Sequence, residues 1–216
     1  MATSPRLRYF LLIPMLLYFL FLFWFHWIQP KTASKAEQIA ANNEAIAAYV
    51  DRFHPLAIAE MQRMGVPASI TLAQGILESR YGKSELAQQA NNHFGMKCGG
   101  NWDGDSYSKF TGEWNNEAQS YRQLACFRVF ESAEASFRAH SDFLRYRKYY
   151  QKLFLLPSGD YKAWAKGLQA AGYATDPKYP DKLISLIERF ELDQYDQLLL
   201  RPESPWVVAP DTLSFD

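Results

Sequence analysis

The hydrophobic pattern changes period along this chain, and each change marks an expected element. Tyr9 to Ile28 is an apolar run with no formal charge unless His26 is protonated. Its length matches the roughly 20 residues that cross a bilayer, so it predicts a transmembrane helix, which Pro14 kinks without excluding. Arg6 and Arg8 precede the run, and the positive-inside rule then leaves the N-terminus cytoplasmic and exports everything after Pro30. A cleaved signal peptide is the alternative. It calls for an apolar core of roughly 7–15 residues and a small-x-small site, whereas Q-P-K-T-A-S-K-A follows this longer run without a clean A-x-A.

From Lys35 to Met64 the pattern becomes helical, with apolar residues at Ile39, Ile46, Val50, Phe53 and Ala57, and with Pro55 as a break point. Pro67 suits the first turn of a second helix in which Ile70, Ala73 and Leu77 share an inward face and Glu78 lies near the end, before Gly82. Between Asn91 and Val129 glycine, asparagine and aspartate cluster, and Ser120 to Phe130 alternates in part, which predicts a small β-hairpin lobe. Ser132 is placed to cap a helix with Ala133, Phe137, His140 and Leu144 along one line. Two more helices follow, Tyr161 to Ala171 ended by Gly172, and Pro180 to Phe190 with Leu183, Ile184, Ile187 and Phe190 inward. After Leu192 the chain turns polar and proline-bearing, and reads as a weakly structured tail. The expected fold is mainly α with a β-hairpin lobe, preceded by an N-terminal transmembrane helix.

Composition narrows the function. Lysine plus arginine (23) equals aspartate plus glutamate (23), so the chain lacks the positive field that drives nucleic-acid binding. Its histidines, His26, His54, His93 and His140, are scattered without H-E-x-x-H or another ligand spacing, so no metal and no cofactor is implied. His140, on an apolar helix face, reads as a satisfied core residue. G-x-S-x-G, P-loop and dinucleotide fingerprints are absent. Cys98 and Cys126 are the only cysteines; in an exported domain they suggest one disulfide, with two buried thiols as the alternative.

From the residues alone, Glu78 is a helix-end carboxylate after Ile76 and Leu77. Tyr81 and Phe94 are near enough in sequence to shield it and raise its pKa, although such a glutamate is more often a solvated surface group. The words around it decide more. G-V-P-A-S-I-T-L-A-Q-G-I-L-E-S-R-Y-G-K-S and N-N-H-F-G-M-K resemble the signature of the bacterial peptidoglycan glucosaminidases, glycoside hydrolase family 73, and the resemblance runs to about Tyr195. It implies a lysozyme-like fold in which Glu78 is the general acid. Glu113, in T-G-E-W, matches the family's second glutamate, the base or electrostatic stabiliser, with Asp103, Asp105 and Glu117 as rivals in the same lobe. Tyr173, in A-G-Y-A-T-D-P-K-Y, matches the tyrosine that positions the N-acetyl group, and Tyr179 closes that word. Asn92, Phe94 and Gly95 match the N-N-x-F-G turn of the substrate cleft, where His93 replaces the usual aliphatic residue. Trp102 and Trp114 are either sugar-stacking or core residues.

The hydrophobic pattern and the resemblance together divide the chain into residues 1–30 (cytoplasmic stub and transmembrane anchor), 31–60 (juxtamembrane helix and connector), 61–195 (the glucosaminidase domain that the resemblance implies) and 196–216 (tail). The implied function is a hydrolase anchored in the bacterial inner membrane by residues 9–28. Its periplasmic domain would cut peptidoglycan glycan strands after N-acetylglucosamine. Muramidase, lytic transglycosylase and a non-catalytic glycan-binding scaffold remain the alternatives, and no protein partner is indicated.

Overall fold

The computed structural model describes residues 18, 19, 21, 34–99, 102–114 and 120–199. The chain packs as two units, Met1–Asn42 and Asn43–Asp216. Helix α1 (Lys35–Met64) opens on a capping box, in which the Glu37 amide donates to Ser34 Oγ at 3.3 Å and the Ser34 amide to Glu37 Oε2 at 2.6 Å. It runs unbroken through Pro55, an exposed position where the cost is one lost backbone bond. From Ile46 onward its buried residues, Tyr49, Val50, Phe53, Ala57 and Met61, recur every three or four positions and face the core. Ile39, expected on the same stripe, is exposed.

Helix α2 (Ala68–Ser79) is the central element. Ala68 to Ile76 are all buried, as expected of a helix wrapped on every side. Pro67 precedes it without a side-chain cap, and the missing cap comes from far along the chain. Asp196 accepts from the Ser69 amide at 2.8 Å and from Ser69 Oγ at 2.6 Å. Asp196 belongs to a 3-10 helix, Leu192–Leu199, that packs on α2 with Leu192 buried, so residues 192–199 are structured rather than loose, and the rest of the expected tail lies outside the described residues.

A short helix α3 (Glu85–Ala90), capped by Ser84, leads to the hairpin. Strands β1 (Ser106–Trp114) and β2 (Ser120–Arg128) pair antiparallel, from Ser106 opposite Arg128 to Trp114 opposite Ser120. Helix α4 (Ala133–Tyr146) starts at Ser132, whose Oγ accepts from the Ala135 amide at 3.2 Å, and buries Phe137, His140 and Leu144. A 3-10 helix (Lys148–Leu155), then α5 (Tyr161–Ala170) and α6 (Tyr179–Arg189), complete the core around Trp164, Leu168, Leu183 and Ile187. Gly172, at φ +82°, ends α5: its amide donates to Gln169 and that of Tyr173 to Leu168.

The mainly α fold with a hairpin lobe is as expected, and the transmembrane helix is corrected out of it. A span needs about 20 consecutive apolar residues. Among the described residues no helix is long and apolar enough to cross a membrane. The long helix α1 carries charges throughout. Of the apolar run at 9–28, only residues 18, 19 and 21 are described, and the rest lies outside the described residues.

Candidate active site

A cleft of about 1010 Å³ opens between the last turn of α2, the loop 94–99 with the base of β2, and the segment 171–176. Glu78 stands on its edge, open to solvent along the cleft. Its Oε1 accepts a hydrogen bond from Tyr179 Oη at 3.2 Å, and Gln74 Nε2 donates to the same phenol oxygen at 3.0 Å. Gln74 and Glu78 lie four residues apart, on one face of α2, which lets a single tyrosine from α6 reach both.

Although Glu78 as a residue is exposed along the cleft, protein atoms crowd its carboxyl from the Tyr179 side, and this partial loss of water pushes its pKa up; the Tyr179 hydrogen bond and the Lys182 charge pull it down without cancelling the rise. Position in the last turn acts in the same upward direction, because the negative end of the helix dipole disfavours a carboxylate. Tyr173 stacks on Tyr179 at 5.7 Å between ring centroids, and burial, followed by the charges of Tyr179 and Glu78, raises its pKa. Tyr179 is pushed up chiefly by burial as well. These phenols stay protonated, as hydrogen-bond donors.

The backbone after Glu78 is strained. Arg80, Tyr81 and Gly82 all take positive φ, at 51°, 49° and 79°. Ser79 holds the turn: its Oγ donates to the Gly75 carbonyl at 2.5 Å and accepts the Gly82 amide at 2.7 Å. The turn carries Tyr81 to a second groove of about 750 Å³, shared with Tyr49, Arg52 and His93. Tyr81 thus lines the second groove, whereas Tyr179 and Tyr173 stand beside Glu78 in the first.

The N-N-x-F-G turn forms the cleft floor. Asn92 is buried with its amide fully engaged: Nδ2 donates to the Met96 and Arg128 carbonyls, each at 2.9 Å, and Oδ1 accepts the Met96 amide at 2.9 Å. It shapes the turn from beneath. Phe94 is 5% exposed and lies face to face with His140 at 3.9 Å. Gly95, at φ +63° on the cleft surface, takes a conformation that a side chain would strain. His93 packs among Tyr49, Phe53 and Phe137, and its Nδ1 is hydrogen-bonded to Tyr49 Oη at 3.0 Å. Burial lowers its pKa to about 4 and that of His140 to about 3, so both rings are neutral. His140 is not satisfied as expected, since neither ring nitrogen finds a partner among the described residues.

Cys98 and Cys126 form a disulfide that ties the cleft loop to β2, alongside a 2.9 Å hydrogen bond from the Cys98 amide to the Cys126 carbonyl. Glu113 lies near the distal end of β1, opposite Tyr121 in register; its side chain lies outside the described residues, as does Glu117. Trp102 packs against Phe130 and under Arg128, and the side chain of Trp114 is likewise outside. The carboxylates that line the cleft among the described residues are Glu78 and Asp176, and Asp176 is held by Lys182 Nζ at 2.6 Å. No group of three or more His, Cys, Asp or Glu among the described residues could hold a metal ion. Gln74, Lys182 and Tyr150, which lines the cleft, stand out in no motif of the sequence. Only Gln74, four residues before Glu78, carried a local signal.

The family match makes this a glycoside hydrolase domain. Residues 54–192 match the family model Glucosaminidase, mannosyl-glycoprotein endo-beta-N-acetylglucosaminidase, and the chain belongs to this family. It is 36% identical over 173 residues to the exo-glucosaminidase LytG of Bacillus subtilis, covering 77% of this chain and 60% of that protein. It is 34% identical over 170 residues to the peptidoglycan hydrolase FlgJ of Pseudomonas aeruginosa, covering 77% of this chain and 41% of that protein. The match thus spans less than two thirds of either relative. Among solved structures, the catalytic domain of the autolysin Auto from Listeria monocytogenes superposes with a TM-score of 0.60 at 26% identity, over 78% of this chain and 100% of that one. A peptidoglycan hydrolase mutant from Sphingomonas sp. A1 gives 0.60 at 35% identity, over 71% and 99%.

Proposed function

We propose that this chain hydrolyses peptidoglycan at the β-1,4 bond after N-acetylglucosamine, with Glu78 as the general acid. The observation that carries the reading is Glu78 itself: a carboxyl group on the cleft edge, with a raised pKa and a tyrosine donor fixing one oxygen. A raised pKa keeps the proton that the leaving oxygen needs. As the C1–O bond breaks, that proton passes to the departing sugar, and positive charge develops at the anomeric carbon. Water adds there and loses a proton to a base. Glu113 is proposed as that base or as an electrostatic stabiliser from the hairpin lobe, and Tyr173, on the cleft wall, as the group that orients the substrate's N-acetyl arm. Phe94 and Gly95 shape the floor on which the sugars lie.

Support comes from the family and from relatives named as an exo-glucosaminidase and a peptidoglycan hydrolase. The domain is proposed to act outside the cytoplasm, where its substrate lies and where a Cys98–Cys126 disulfide persists. The test is mass spectrometry of fragments released from purified peptidoglycan by the full chain and by Glu78→Gln. Fragments with reducing N-acetylglucosamine ends, reduced at least about 100-fold by the substitution, support the reading. Reducing muramic ends, anhydro sugars, or binding without cleavage overturn it.

A further inference from the structure

Two arginines line the cleft with no counter-ion among the described residues. Arg128 ends β2; it is half-buried, its Nε donates to the Lys97 carbonyl at 3.3 Å, and its guanidinium lies 4.6 Å from the Trp102 ring centroid. Arg147 follows α4 in extended backbone, exposed, with its guanidinium 5.4 Å over Phe143. Both line the cleft that holds Glu78. Among the described residues no carboxylate lies within ion-pairing distance of either, although the fold pairs other cations, Lys182 with Asp176 and Arg63 with Glu60 and Asp142. The two are close enough to repel: burial, and then the Arg147 charge, lower the Arg128 pKa.

Like charges converging on a cleft raise its affinity for an anion. A guanidinium offers a planar fork that matches a carboxylate in two parallel hydrogen bonds. Amide-linked glycan rings are uncharged, so the sugars themselves give these arginines nothing to pair with. The carboxylates of a peptidoglycan strand sit on its stem peptides.

We infer that Arg128 and Arg147 form a cationic subsite that holds a stem-peptide carboxylate of the strand bound in the cleft. This rests on the reading of the cleft as a peptidoglycan-cleaving site. The subsite would make the chain prefer glycan that still carries its peptides.

The test compares three soluble glycan strands of equal length: peptide-bearing, stripped of peptide by an amidase with the freed lactyl carboxylates then amidated, and peptide-bearing with the carboxylates amidated. Binding is measured with the full chain carrying Glu78→Gln, and turnover with the unsubstituted chain. The peptide-bearing strand is expected to bind about tenfold tighter than the other two, as suits one or two charge-assisted contacts. Arg147→Gln and Arg128→Gln each remove most of that preference, Arg147→Lys keeps part of it, and affinity for stripped strands stays unchanged. Arg147 is exposed, so its substitution leaves the fold intact, and a melting curve checks Arg128→Gln. Equal binding of amidated and free-acid strands overturns the inference, as does an equal loss on all three strands. An arginine-dependent preference with no turnover of any strand would sink the hydrolase reading and leave the subsite standing.

Discussion

Tyr179 donates its phenolic hydrogen to Glu78 across 3.2 Å from a helix that begins 101 positions further along the chain. The same phenol oxygen accepts from Gln74 at 3.0 Å, so three side chains from α2 and α6 form one relay at the cleft edge. The relay gives the carboxyl a fixed orientation.

Removing it with Tyr179→Phe shifts a pH profile in a stated direction. A hydrogen bond to the carboxylate favours the ionised form, so its loss raises the Glu78 pKa further. With Glu78 acting in its protonated form, the basic limb of kcat/KM moves to higher pH. Gln74 Nε2 is left buried without its acceptor, which costs about 1–2 kcal/mol of stability. A profile of rate against pH, with a urea melt, checks both effects, and an unmoved basic limb refutes the assignment.

Asp196 gives a pH dependence of stability. Burial raises its pKa to about 6, against the opposing Ser69 hydrogen bonds. A carboxyl with a raised folded pKa contributes stability that is complete below its unfolded value, about 3.9, and is lost as pH rises through the folded one. The stability advantage of the native chain over Asp196→Asn is therefore expected to shrink between about pH 4 and 6. Asp196→Ala, which removes the cap of α2, costs about 1–2 kcal/mol. Melts across that pH range measure both.

His140 and His93 act with the opposite sign. Their pKa values fall to about 3 and about 4, so the native state resists protons that an unfolded histidine accepts near pH 6.5. Their contribution is present above about pH 6.5 and is lost as pH falls toward the folded values. His140→Phe keeps the stack on Phe94, removes two unpartnered nitrogens, and should leave neutral-pH stability within about 1 kcal/mol. The acid-side loss of stability should flatten in this variant; an unchanged slope refutes the assignment.

Opening Cys98–Cys126 frees a long loop, since the two cysteines are 28 positions apart. The chain-entropy model gives a loss of about 3–4 kcal/mol on reduction. Cys98 lines the cleft, so activity is expected to fall before the helical core melts. Near-ultraviolet and far-ultraviolet spectra of the reduced chain, alongside its rate, test the order of events.

Periodicity and turn chemistry made most helices legible. Ser132 caps α4 and Gly172 ends α5 where local rules put them, because a cap needs one side chain and a few neighbouring amides. Pro55 misled, since a single proline on an exposed helix face costs one bond while the buried stripe on the other face holds the helix together. The 3-10 helix at 192–199 carries no local signal of its own, because its anchor, Asp196, is explained only by the distant amide it caps.

The sequence by itself determined the helical frame, the hairpin, and the words that place Glu78 at a helix end and Tyr173 after a glycine stop. These are local properties, written in spacings of a few residues. Only the tertiary structure decided that Tyr179, itself held by Gln74, bonds Glu78, that Asn92 is consumed in shaping a turn, that Phe94 stacks on His140 in the cleft floor, and that Arg128 and Arg147 line one cleft. Each of those relations joins elements far apart in the chain, and burial and charge at such a meeting depend on packing that no local spacing encodes.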